Sequence, residues 1–157
     1  MVGLSFEESD NDRTAQIHAA FKNCRWALYV HYNNGRSGAP KTCAAFLKLL
    51  PFKNKVIHSR WSGEAVWIPL GDLEVGIGFE NHTSHPARGD ILLYPGGFSE
   101  TEILFAYGSS CFASKMGQLA GNHFLTVVQG TEHLAGLGKL VLWQGAQDIT
   151  FEKLENN

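Results

Sequence analysis

The sequence predicts a mostly β protein: a closed β-barrel with one main helix at about residues 40–50 and short helical caps. Three observations predict it. Short apolar and β-branched runs recur along the chain, separated by turn residues. The chain of 157 residues carries 17 glycines, which suit tight turns. Only the segment after Pro40 keeps a sustained helical period. A chain with many short strands and one early helix buries its apolar faces by closing the sheet on itself.

Taken in order, residues 26–32 are aromatic and β-branched and read as a strand. Residues 33–38 hold Asn and Gly, which accept positive φ, and read as a turn. Pro40 opens the helix, because its missing N–H would be unpaired in a first turn anyway. Cys43, Phe46, Leu47 and Leu50 then share one helical face, and Pro51 ends it. Residues 55–61 and 65–69 read as two strands around Ser62-Gly63. Residues 73–77, 90–94, 103–107, 124–129, 139–143 and 149–154 are further expected strands, with a short helical turn near 131–135. Residues 1–24 are expected to form a partly loose N-terminal extension, with 7–13 as a polar tail, and 25–157 a single barrel domain.

Composition narrows the function classes. Apolar residues make up 44% and charged residues 18%, which excludes a disordered chain. The net charge is −2 with scattered Lys and Arg, so neither nucleic acid nor an anionic membrane is an expected partner. The 3 cysteines form no CxxC and read as free, buried thiols in a reducing compartment. No apolar run approaches the ~20 residues needed to span a bilayer. The acidic start lacks an apolar signal core, so the expected location is cytoplasmic. Gly96-Gly97 lacks both a following helix and a Lys-Ser/Thr, so no phosphate loop forms. No Gly-x-Ser-x-Gly elbow occurs, and no cofactor is expected.

Three groups of residues bear on chemistry. His82 and His85 sit in a turn-rich loop before Gly89-Asp90 and Pro95-Gly96. A strand so bounded resembles the cupin barrels, which bind metal through histidines and a carboxylate. The spacing here is His-x-x-His without the following Glu, so the expected metal set is none and the two histidines read as solvated. Glu100 and Glu102 alternate and would share one face of a strand, as an acid–base pair or a solvated strand start. Trp61, Trp67, Tyr94 and Tyr107 fall near strand ends, as pocket walls or as core.

A family resemblance joins these pieces. Ala39-Pro40-Lys41-Thr42-Cys43-Ala44-Ala45-Phe46 resembles the opening of the first cyclophilin helix. Gly89-Asp90-Ile91-Leu92-Leu93-Tyr94 with Ile103-Leu104-Phe105 resembles a cyclophilin strand pair. Leu119-Ala120-Gly121-Asn122-His123-Phe124 resembles that family's Leu-Asp-Gly-Lys-His, and Val127-Val128-Gln129-Gly130 and Ile149-Thr150-Phe151 stand where it has its closing strands. The order is collinear from about Leu28 to Phe151. Ile57-His58-Ser59-Arg60-Trp61-Ser62-Gly63-Glu64 is similar to a hallmark of a bacterial group of small, uncharacterised cyclophilin-like barrel proteins. The resemblance implies a cyclophilin-like barrel of eight strands with helical caps, and no activity. It puts Arg60 where cyclophilins have their catalytic arginine, His123 at their pocket histidine, and Glu102 where they have a Gln. Ala65, Val66 and Ile68 replace the bulky and amide-bearing positions of the proline pocket, and Gln118 replaces a Trp.

The resulting expectation is a small molecule or peptide bound in a pocket on the barrel face. Arg60 anchors an anionic or carbonyl group through its fork of donors. Trp61, Tyr94 and Phe105 are the expected walls, and Glu102 and His123 the polar neighbours. Strand alternation would put His58 and Arg60 on one face and Trp61 on the other. An Arg60–Glu102 or Arg60–Glu64 ion pair is the plain structural alternative. Two enzyme readings stand beside this one: a peptidyl-prolyl isomerase using Arg60, and a metal-dependent cupin-like protein using His82 and His85. A subunit acting through a homo-oligomer interface is a further class.

Overall fold

The computed structural model describes residues 16–22, 24–32 and 38–155. The expected tail at 7–13 and most of the expected turn at 33–38 lie outside the described residues. The elements run β1 (Gln16–Phe21), β2 (Ala27–Tyr32), α1 (Pro40–Leu47), β3 (Phe52–His58), β4 (Gly63–Gly71), β5 (His82–Thr83), β6 (Asp90–Tyr94), β7 (Thr101–Ser110), β8 (Ala113–Ser114), β9 (Gly117–Gln118), β10 (Gly121–Gln129), α2 (Leu134–Gln144) and β11 (Gln147–Lys153). A single 3-10 turn, Thr131–His133, leads into α2. The main sheet runs β2-β1-β11-β3-β4-β7-β6-β10, and the β2–β10 pairing closes it into an antiparallel barrel of 8 strands. The short β5 adds to the start of β10 through Gly121↔Thr83 and Asn122↔His82. Among the described residues, no helix is long and apolar enough to cross a membrane.

Alternation along the strands divides the apolar residues between two cores. Inward positions carry Ile17 and Ala19, Leu28 and Val30, Val66 and Ile68, Ile91 and Leu93, Ile103 and Phe105, and Ile149 and Phe151. The helix α1 adds Cys43 and Phe46 to this interior. The Phe46 ring meets Phe124 and Phe151 edge-on, at centroid distances of 5.2 Å and 5.4 Å. The outward face of β4, β6 and β7 carries Ala65, Leu92, Tyr94 and Leu104, with Trp67 packed against them. Phe112 and Leu119, flanking the β8–β9 hairpin, cover this second core. An antiparallel sheet is thereby buried on both faces over part of its width, and that is where a site can form beneath a flap.

α1 starts at Pro40 as expected, and its N-terminus is satisfied from outside the helix. The carboxylate oxygen Oε1 of Glu80 accepts from the Thr42 N–H at 2.6 Å and from the Thr42 hydroxyl at 2.8 Å. Asn122, fully buried on β10, donates to Thr42 Oγ1 at 3.0 Å and to the Gly78 carbonyl at 2.9 Å. Its own amide oxygen accepts from the Glu80 N–H at 3.1 Å. One buried network thus ties the helix, the 78–80 loop and the barrel wall together.

Several expectations are corrected. Gln16–Phe21, expected in the N-terminal extension, is a barrel strand between β2 and β11. Ile17, Ala19 and Phe21 alternate inward there, a period of two that is short and diluted by His18 and Ala20. Residues 139–143, expected as a strand, lie within α2, and at 11 residues this helix, not the 8-residue α1 expected as the main one, is the longer of the two. Leu134, Leu137, Gly138 and Val141 are its buried face, at helical spacing, while Leu142 and Trp143 point outward at 54% and 81% exposure. Gly138 lets α2 sit directly on Tyr107, where a Cβ would fall 2.3 Å from the ring. Residues 73–77, also expected as a strand, have no ladder partner among the described residues, although Val75 and Ile77 still pack on the core. None of the 3 cysteines is in a disulfide, and only Cys43 is buried, its thiol donating to the Phe124 carbonyl at 3.3 Å; Cys24 is half-buried and Cys111 exposed.

Candidate functional site

The outward face of β4 and β7 holds a pocket of about 160 Å³. Its floor is apolar: Leu104 and Phe112 are buried, and Trp67, opposite Leu104 across the β4–β7 ladder, lies beside them. Four pieces of chain frame it: the β3–β4 connection with Arg60 and Trp61, the outer face of β4 and β7, residues Ser99 and Glu100 before β7, and the β8–β9 hairpin with Lys115.

Each piece is held by local chemistry. Gly63 has φ +94, and an added Cβ would fall 2.9 Å from the Ser109 carbonyl oxygen, so the turn after Arg60 and Trp61 requires glycine. The Ser62 hydroxyl donates to the Ala113 carbonyl and accepts from the Ala113 N–H, both at 3.1 Å. The Cys111 N–H donates to the Ser62 carbonyl at 2.9 Å. Ser62, itself buried, therefore clamps the Arg60–Trp61 turn to the hairpin flap. On the other side, the Tyr94 hydroxyl accepts from the Phe98 and Ser99 N–H groups at 3.0 Å and 3.3 Å. Glu100 accepts from the Gly71 N–H at 3.2 Å.

The polar group at the centre is Glu102. It lies on β7 between Pro69 of β4 and Tyr94 of β6. It is 7% exposed, and no described residue gives it a hydrogen bond or an opposite charge. Burial, and then the nearby charge of Glu100, push its carboxyl up to about 7. Arg60 and Lys115 on the same pocket are exposed and likewise carry no ion pair. Among the described residues, the pocket therefore presents a greasy floor, a largely buried carboxyl without a partner, and two cations at the rim that no carboxylate pairs.

The sequence profile of a family described as a protein of unknown function, DUF3830, matches residues 30–153. The chain belongs to that family. Among solved structures, "Structure of McbB in complex with tryptophan" superposes with a TM-score of 0.70 at 14% identity. The match covers 90% of this chain and 46% of McbB, so this chain spans about half the length of that neighbour. At that identity the likeness is one of fold. No curated protein matches the chain.

Of the site residues expected from the sequence, Arg60, Trp61 and Glu102 line one pocket. Tyr94 does not line it; buried in the second core, it supports the 98–99 backbone from behind. Phe105 points into the barrel, on the opposite face from Glu102 and Leu104, because successive strand residues alternate. His123 lies elsewhere, on β10, where its Nε2 is 2.8 Å from Thr126 Oγ1 and 3.2 Å from Asp90 Oδ1. Burial works against the Asp90 carboxylate, but hydrogen bonds from His123 and the Ala87 N–H prevail, and its pKa falls below the usual range. Arg60 follows the end of β3 and stands in a turn, so His58 and Arg60 do not share a strand face. His58 instead bonds the Tyr107 hydroxyl at 2.8 Å.

Ala65, Val66 and Ile68 are buried in the two cores and wall no cavity beside Arg60. His82 and His85 are exposed, with His82 against the Phe79 ring, and no cluster of three metal-ligating side chains occurs among the described residues. Phe112 and Lys115, absent from the expected site, complete the pocket. Nothing local marks them; they reach it only because the chain folds back after β7. A second concavity of about 740 Å³ lies on the outer face of β1, β11 and β3. It is a shallow groove whose Asp148 is already paired to Lys55 at 2.6 Å, and it holds no unpartnered buried group.

Proposed function

We propose that this protein binds a small ring-bearing carboxylic acid in the pocket on the outer face of β4 and β7. The observation that carries the reading is the pairing of an aromatic and aliphatic floor with an Arg60 guanidinium that no carboxylate of the described residues engages. Guanidinium binds a carboxylate through two parallel donors, and Trp61 and Trp67 offer flat faces to a ring. The volume of about 160 Å³ suits one ring rather than a peptide segment; an apolar cavity of roughly 150 Å³ accommodates benzene. McbB, which shares the fold, was solved in complex with tryptophan, itself a ring-bearing carboxylate.

The test is a thermal-shift and calorimetric screen of single-ring carboxylates and proline-containing peptides against wild type and Arg60→Lys. A single-ring carboxylate should stabilise wild type, and Arg60→Lys should lose that response while melting at the same temperature without ligand. Absence of any stabilising carboxylate, or equal responses from both proteins, overturns the reading. A response confined to proline peptides, with turnover in an isomerisation assay, would replace it with the isomerase reading.

A further inference from the structure

We infer that the ligand carries a protonated amine as well as the acid group, the ammonium seated on Glu102 and the carboxylate directed to Arg60, so that the pocket selects amino-acid-like zwitterions. This deepens the reading above and rests on it. The geometry points to the ammonium because Glu102, 7% exposed, opens onto the pocket and takes no donor from any described residue. A buried carboxylate left without a donor is costly, and a site built to complete such a group rejects analogues that lack the donor. Trp61, Trp67 and Phe112 surround the same space, and aromatic faces attract cations.

The charges are also segregated. Glu100 and Glu102 come from the β7 side, whereas Arg60 and Lys115 come from the β3–β4 turn and the hairpin flap. A ligand with one charge would leave one side unmatched; a zwitterion matches both. These four are the charged groups lining the pocket. The Glu102 carboxyl ionises near pH 7, so a bound ammonium would draw off its proton and favour the pair.

Three compounds with one ring separate the possibilities: phenylalanine, 3-phenylpropionate, which lacks the amine, and phenethylamine, which lacks the acid. Calorimetry with wild type at pH 8 should find phenylalanine bound about 10-fold or more tighter than 3-phenylpropionate, the scale of one charge-assisted hydrogen bond. Glu102→Gln should bring that ratio close to one. Phenethylamine should bind wild type and Arg60→Lys alike. If 3-phenylpropionate binds wild type as well as phenylalanine does, this inference falls while the acid-binding reading stands. It falls in the same way if Glu102→Gln keeps the preference. If none of the three binds, both fall. The wild-type comparison needs no variant, so it decides even if Glu102→Gln folds poorly.

Discussion

Arg60 and Glu102 line one pocket and make no ion pair with each other. A surface pair would have given Arg60 a structural reason to be there. Without it, Arg60 has little to contribute to the folded state. Arg60→Ala should shift unfolding stability by no more than about 0.5 kcal/mol, the range of surface substitutions away from special features. Urea unfolding of the two proteins measures this. A loss of about 2 kcal/mol or more, approaching that for breaking a buried pair, would mean that Arg60 is a structural residue.

Glu102 makes stability depend on pH in an unusual direction. Its folded-state value, about 7, lies above the ordinary 4.5, so folding takes up a proton between those two values. The contribution is fully present below about pH 4.5 and is lost as pH rises through 7. Over that window it amounts to up to about 3 kcal/mol. Glu102→Gln, which keeps the shape without the charge, should be more stable than wild type at pH 8 and nearly equal at pH 4.5. Denaturant midpoints at a series of pH values check this; parallel curves for the two proteins would show that Glu102 does not titrate as described.

Two glycines of α2 should respond oppositely to alanine. Gly136 has nothing within 4 Å of a built Cβ, so Gly136→Ala should gain roughly 0.5–1 kcal/mol from helix propensity. At Gly138 the Cβ would meet Tyr107 Cε2 at 2.3 Å, so Gly138→Ala must displace either the helix or a ring bonded to His58. It should cost about 1–3 kcal/mol despite the same propensity gain. Paired melting curves give the sign of each.

Glu80→Ala should destabilise the fold by about 1–2 kcal/mol, since it strips both bonds from Thr42 at the α1 N-terminus. Glu80→Gln, which keeps an acceptor but loses the charge, should cost less. Hydrogen exchange would localise the effect: protection should fall first at the start of α1, and uniform loss would contradict the local role.

Much of the barrel was legible because its strands follow a period of two between turn residues. Residues 90–94 coincide with β6, and Pro40 and Pro51 bracket α1 and the turn after it. The helix α2 was hidden by its composition: its C-terminal half reads Lys139-Leu140-Val141-Leu142-Trp143, β-type residues in a short window, and the helical spacing shows only when Leu134 and Leu137 are counted with it. Arg60 and Glu102 could be named from sequence because a resemblance and an alternation each singled one out. Phe105 was a wrong wall because alternation along β7 puts it on the opposite face from Glu102, inside the barrel between Ile91 on β6 and Val66 on β4. Phe112 and Lys115 belong to a flap set by long-range contacts such as Phe112 N–H to the Ser84 carbonyl, at 2.7 Å, which no local pattern announces.

The strand β1 has a practical consequence for anyone shortening this chain. The family match begins at residue 30, inside β2 and beyond β1. A fragment trimmed to that boundary would remove the strand that joins β2 to β11 and would leave the backbone of β11 unpaired on one side. An open ladder of this kind recruits strands from other molecules. Such a fragment should be recovered as aggregate, whereas one starting before Gln16 should remain monodisperse, and the natural cloning boundary of this fold therefore lies upstream of the region by which its sequence is recognised.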